Sequence, residues 1–297
     1  MTRSREGHCC RLHPGSIGLL LLLAAGCAQE APYTADEEQG STHALVAVDR
    51  SRSAKRSSDV RAGALASFAR IPATVDTTTA LELIGLDAQL PDLNRCAVRD
   101  AGRDPSTPLS PFDRVELLAA GNVSVVVGSE ETVLAPRVFP TVTDMISGVV
   151  YTTRDLAAEP LPAGQAYVIR TGGSPELDPL ELGVDAPQEP ASVAVGGVPL
   201  AELQSLAVSH GLEVTWEGGD AGDIVYVELS AEGVPCTVCA YDDAPGVGSV
   251  PAEAFAGSGE GRIAVHRVRS RVFEAPDIER GELRFDFEIA ADVTYGE

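Results

Sequence analysis

Cys236-Thr237-Val238-Cys239 is the spacing in this chain that most resembles reactive chemistry, a thiol–disulfide pair. Such a pair needs its first cysteine at a helix N-terminus, where the dipole lowers the thiol pKa. Here Pro235 precedes it and β-formers surround it. On a straight strand the two Cα atoms lie about 10 Å apart at about 3.3 Å per residue, beyond the roughly 7 Å a disulfide spans. Two readings stand. Both are buried structural cysteines, unpaired or partly paired, or a disulfide takes one or both of them, with Cys96 as a long-range partner. Zinc finds no second C-x-x-C and no closely spaced histidine pair.

Carboxylates are the second set. Asp220, Asp223, Asp242, Asp243 and Asp277 all fall in expected loops. Aspartate stabilises turns through bonds to its own backbone. The alternative brings Asp220/Asp223 and Asp242-Asp243 together at one end of a sandwich, where six to eight oxygens hold Ca²⁺. Neither group matches the D-x-D-x-D-G loop, and no spacing supports a glycosidase pair. Beyond the leader described below, the histidines are His43, His210 and His266, in a tether, a turn and a strand respectively. Ser258 lies between Gly257 and Gly259, but Ala256 at −2 breaks the nucleophile-elbow pattern. No residue is assigned a catalytic role. Lys55 is the only lysine beside 21 arginines, which removes phosphate-loop lysines, Schiff bases and Ser-Lys dyads elsewhere in the chain.

Cys27 belongs to a different pattern. Arg3, Arg5 and Arg11 precede a nine-residue run from Ile17 to Ala25 that closes on Ala24-Ala25-Gly26-Cys27. That is a secretory leader with small residues before the cut, and it is too short for a bilayer core of roughly 30 Å, which takes about 20 helical residues. The cysteine after small residues looks like a bacterial lipobox, with Ala24 in place of the commoner leucine and Cys27 as the lipidated first mature residue. Ala28 after it favours the outer membrane. The expected partners are therefore the membrane, through a lipid anchor, and a protein or glycan.

Removing residues 1–26 leaves 19 basic against 43 acidic residues. That balance argues against nucleic acid and against a binding surface for anionic lipid headgroups, since both require basic patches, and leaves calcium or a basic partner open. Residues 27–63 read as a disordered tether. Its segment Ser51–Arg61 is basic, and is either a solvated linker or a contact with an anionic membrane surface.

The elements that must position these groups are mainly β. Phe68–Ile71 before Pro72 is extended, and Asp76 can cap a helix through Leu86. Strands follow at Val115–Leu118, Val123–Val127, Val133–Ala135, Gly148–Thr153, Ala166–Arg170 and Leu180–Val184. This defines a first β-rich domain, 64–186, with a short helix over 76–86. The Pro-rich 186–190 is a boundary. The second domain, 191–297, opens with Ser192–Val195. Pro199–His210 is either a helix closed by Gly211 or strand and turn. Leu212–Trp216, Ile224–Leu229, Val234–Ala240, Arg262–Val272 and Leu283–Tyr295 are strands. In the last pair, Leu283, Phe285, Phe287 and Ile289 alternate with Arg284, Asp286 and Glu288, one buried face and one wet. Arg267, Arg269 and Arg271 alternate likewise, and are expected to face Asp286 and Glu288 as a cross-strand surface ladder. The fold class is thus a signal peptide and tether followed by two small antiparallel β-sandwich-like domains.

Leu212-Glu213-Val214-Thr215-Trp216, a Gly/Asp turn and Val225-Tyr226-Val227-Glu228-Leu229 resemble the strand B to strand C passage of fibronectin type III and immunoglobulin-like sandwiches. The resemblance covers about 105 C-terminal residues and implies that Trp216 packs between two sheets. With the lipobox and the arginine bias, the chain also looks like the uncharacterised surface lipoproteins typical of myxobacteria, a family with no assigned activity. The functions this leaves are a non-enzymatic envelope lipoprotein, a Ca²⁺-dependent adhesion or carbohydrate-binding module, or an envelope hydrolase. Clustered acids and a histidine in one cleft would mark the last.

Overall fold

The computed structural model describes residues 40–56, 58–83, 90–99, 114–142, 146–153 and 161–296. Its first strands arise where a tether was expected. Ser41–Ser53 (β1) and Val60–Ile71 (β2) pair antiparallel in unbroken register from Ser41↔Ile71 to Arg52↔Val60. Ala44, Val46 and Val48 alternate inward and bury against Ala64, Ala66 and Phe68. The mixture of small and charged residues suggests a linker, but the period of two is that of a strand. A helix, Thr77–Leu83 (α1), follows, with the Ala80 amide donating to the Asp76 carbonyl at 3.0 Å. Its expected extension to Leu86 lies outside the described residues.

Arg95–Arg99 (β3), Val115–Leu117 (β4), Val123–Val127 (β5), Glu130–Val142 (β6), Ile146–Thr152 (β7), Ala166–Thr171 (β8) and Glu181–Asp185 (β9) complete the first half. The strand β6 pairs with β5 along its first residues and with β7 further on, so one layer continues into the other. Val123, Val125, Leu134, Tyr167 and Ile169 then pack over Val46, Val48, Ala64 and Phe68.

The second half holds Ala194–Val195 (β10), Val198–Pro199 (β11), Ser205–Ala207 (β12), Leu212–Thr215 (β13), Ile224–Ala231 (β14), Val234–Asp242 (β15), Val247–Val250 (β16), Gly259–Ala275 (β17) and Ile278–Gly296 (β18). A four-stranded sheet, β11-β10-β13-β16, faces the β15-β14-β17-β18 part of a larger one. Trp216 directly follows β13 and is 5% exposed, within a core built from both sheets. Residues 199–210 take the strand-and-turn path. Leu200, Leu203 and Leu206 all bury, because a leucine every third residue serves an irregular chain as well as a helix.

The chain is thus mainly β, but its halves are not separate bodies. Residues 38–297 form one compact unit, within which every described strand and core lies, so this unit contains what it needs to fold by itself. The hairpin β17–β18 explains why the expected boundary at 186–190 does not divide it. Strands of 17 and 19 residues reach roughly 55–60 Å at about 3.3 Å per residue, longer than one sandwich needs. Ile263, Val265, Ile289, Val293 and Tyr295 serve the second core, while Leu283, Phe285 and Phe287 on the far part serve the first. Alongside, β1 pairs parallel with β18 from His43↔Arg280 to Ser53↔Ala290, which joins both halves into a 14-stranded sheet.

Candidate functional site

The arginine row on β17 does not face Asp286 and Glu288. Arg267, Arg269 and Arg271 stand opposite Phe287, Phe285 and Leu283, and residues directly opposite share a face. Arg267 and Arg269 therefore turn toward the loops of the second half, while Arg271 is exposed. Arg267 is 3% exposed and Asp243 is fully buried. The Arg267 Nε lies 2.6 Å from Asp243 Oδ2, and its Nη2 donates to Asp243 Oδ1 at 3.0 Å and to the Glu217 carbonyl at 2.5 Å. Its Nη1 donates to the carbonyls of Gln188 and Glu189 at 3.3 and 3.2 Å. Trp216 Nε1 donates to Asp243 Oδ1 at 2.8 Å, so the core tryptophan and the ion pair are one unit. A Cβ at Gly219 would run into both members of that pair.

Arg269 holds Asp223 through Nε and Nη2, each at 2.7 Å, and reaches Asp220 at 2.5 Å. The hydrogen bonds with Asp223 and then Asp220 hold its guanidinium charged more firmly than usual, against the pull of its partial burial. Asp242 accepts the Ala244 amide at 3.2 Å, the turn role of an aspartate. The expected calcium donors are thus not free: three of the four carboxylates are neutralised by guanidinium groups. Among the described residues, no group of three or more histidines, cysteines, aspartates or glutamates is placed to hold a metal ion. From β1, Arg52 Nε meets Glu189 at 2.8 Å, and Arg50 pairs with the same carboxylate. These groups line a cleft of about 740 Å³ where the 188–191 segment crosses between the halves. Its charges are spent largely on each other.

A second polar cluster occupies the opposite face of the large sheet, and the sequence reading missed its membership. His266 stands opposite Glu288, and Asp49 of β1 lies beside Asp286 of β18. His266 Nδ1 is 2.8 Å from Asp286 Oδ1, the Tyr226 hydroxyl donates to Asp286 Oδ2 at 2.6 Å, and the Tyr226 ring stacks on the imidazole at 4.0 Å. Burial alone would raise the Asp286 pKa, but the bonds from His266 and Tyr226 outweigh it and leave the carboxyl below its ordinary value. Asp49 is exposed as a residue, yet its carboxyl lines a cleft of about 280 Å³ with His266, Asp286 and Glu288. The loss of surrounding solvent, and then the Asp286 charge, push it up to about 6.

This is an acid-and-histidine cleft of the kind that would mark an enzyme, with the His266 Nδ1 committed to Asp286. His266 Nε2, the nitrogen left over from the Asp286 bond, is buried without a hydrogen-bond partner, 3.9 Å from Glu288. Glu288 beside it is itself ion-paired to Arg262. His43 sits in β1 rather than in a tether and bonds the Ser41 hydroxyl at 2.7 Å.

Cys96 and Cys239 are disulfide-bonded, joining β3 to β15. Cys236 is free and half-buried. Three positions apart on one strand, Cys236 and Cys239 point to opposite faces, so the C-x-x-C spacing does not make a redox pair. Burial, and then the Glu228 charge, push the Cys236 thiol up to about 11, away from nucleophilic use. Cys27 and the leader lie outside the described residues, and among those described no helix is long and apolar enough to cross a membrane.

No family model matches this chain, and no curated protein matches its sequence.

Proposed function

We propose that this chain is a lipid-anchored outer-membrane envelope protein whose fused β-sandwiches serve as a non-enzymatic binding, adhesion or structural module. The observation that carries the reading is the use of its reactive groups. Arg267 with Asp243, Arg269 with Asp220 and Asp223, and His266 with Asp286 are committed to one another in packed networks. Side chains so engaged position the fold rather than a substrate. The disulfide supports an oxidising compartment outside the cytoplasm, which agrees with a leader ending just before Cys27. The second half is read as an immunoglobulin/fibronectin III-like sandwich. Its support is strand order: β10-β13-β16 against β15-β14-β17-β18, with β12 running parallel beside β18.

Mass spectrometry of the native protein tests the anchor, and an unmodified N-terminus or a retained leader refutes it. Activity profiling of the purified protein across hydrolase substrates tests the rest. Robust turnover that disappears in His266→Gln would replace this reading with an enzyme built on the Asp49, His266, Asp286 and Glu288 cleft.

A further inference from the structure

We infer that the tip of the β1–β2 hairpin, where it meets the end of β18, is a binding site for a phosphate-bearing anion. The chain is strongly acidic, with 44 acidic against 22 basic residues. One cleft of about 580 Å³ reverses that balance, being lined by five of the basic residues and two of the acidic ones. It contains the only lysine, Lys55, together with Arg56, Arg61, Arg262 and the hydroxyls of Ser51 and Ser53.

The cations differ in how far they are already satisfied. Arg262 is ion-paired to Glu288 and Arg52 to Glu189, so both are fixed at the walls. Lys55 Nζ donates to the carbonyl oxygen of Asp292 at 2.8 Å, a neutral acceptor that holds the ammonium in place without cancelling its charge. Arg56 reaches Asp59 only at 3.5 Å, with 73% and 47% of the two side chains exposed, a pair worth little in water. Arg61 is exposed and has no ion-pair or hydrogen-bond partner among the described residues. Register brings these groups to one face. Arg61 stands opposite Ser51 across the hairpin, and Arg262 stands opposite Asp292 across β17 and β18.

The β1 side of the turn is docked on β18, since the Ala54 amide also donates to the Ala290 carbonyl at 2.8 Å. A lysine, arginines and two serines lining one cleft supply the ammonium, guanidinium and hydroxyl donors from which phosphate oxygens accept hydrogen bonds. A solvated basic turn would need none of this docking. The shared ligand chemistry is phosphate, from a soluble phosphate compound or a phospholipid headgroup.

The inference does not depend on the lipid anchor, because the test uses residues 38–297, which lack it. Calorimetry with inorganic pyrophosphate at low salt, and co-sedimentation with phosphatidylglycerol or phosphatidylcholine vesicles, are run on this unit and on a Lys55→Ala/Arg61→Ala variant. Both substituted side chains are solvent-exposed, and an unchanged thermal melt verifies that the variant folds. Binding is expected to weaken about tenfold in the variant and to fade as salt is raised. Pyrophosphate binding alone identifies a soluble phosphate compound. Co-sedimentation with phosphatidylglycerol but not phosphatidylcholine, lost in the variant, identifies a headgroup. Absence of both, or binding equal in the variant, overturns the inference.

Discussion

Arg267 concentrates more of the molecule's internal bonding than any other side chain of the seam, since it meets Asp243 and the backbone of 188, 189 and 217 at once. Its loss leaves a buried, uncompensated Asp243 carboxylate. Arg267→Ala is expected to cost about 3–5 kcal/mol in chemical denaturation, where a surface arginine would cost under about 1. Asp49 behaves in the opposite sense. Its folded pKa of about 6 lies above the ordinary 3.8, so the folded protein binds this proton more tightly than the unfolded chain. The destabilisation it brings is fully present above about 6 and is relieved as pH falls from 6 toward 3.8. Asp286, with its lowered pKa, loses stability only at more acidic pH, below its ordinary value. Asp49 thus adds to the denaturation midpoint on mild acidification, whereas His43, whose pKa burial lowers, works against it, so the Asp49 contribution is read as the difference between the wild type and Asp49→Asn. Asp49→Asn should be the more stable form near neutrality, with its advantage shrinking as pH falls from about 6 toward 3.8. A stability difference between the two that does not change with pH would contradict this.

At the level of elements, the disulfide ties β3 to β15 across a sequence separation of 143 residues. On a chain-entropy account, closing so long a loop contributes about 4–5 kcal/mol. Cys96→Ser or chemical reduction is thus expected to lower the melting temperature markedly, while Cys236→Ser leaves it nearly unchanged. Comparing melts with and without reductant checks both. Strand positions were readable wherever side chains alternate: Val123, Val125 and Val127 mark β5, and Leu283 to Ile289 mark the heart of β18. Register was not readable. Whether Arg267 meets Phe287 or Glu288 depends on a one-residue slip, which no local pattern decides, and that slip separates a surface ladder from a buried ion pair. The strand β1 was hidden for a related reason. Its polar residues, Asp49, Arg50, Ser51 and Arg52, resemble a solvated linker until their partners on β18 and in the 189 segment are known.

The whole molecule unites what the sequence divided at 186–190. The hairpin β17–β18 supplies both cores, so damage to one is transmitted to the other. Phe285→Ala, in the first core, is expected to cost about 3–5 kcal/mol. Calorimetry should show one unfolding transition in the native protein, where two independent domains would give two. Persistence of a folded second half in the variant would show that the shared strands do not couple the cores.

The direction of β1 against β18 has a mechanical corollary. The two strands run parallel, so Ser41 and Gly296 leave the seam at opposite ends. Tension applied through those residues slides one strand along the other. The rungs between His43 and Ser53 then carry the force together instead of opening in turn. Single-molecule pulling from those ends should rupture at higher force than peeling β18 away from β17 at their turn.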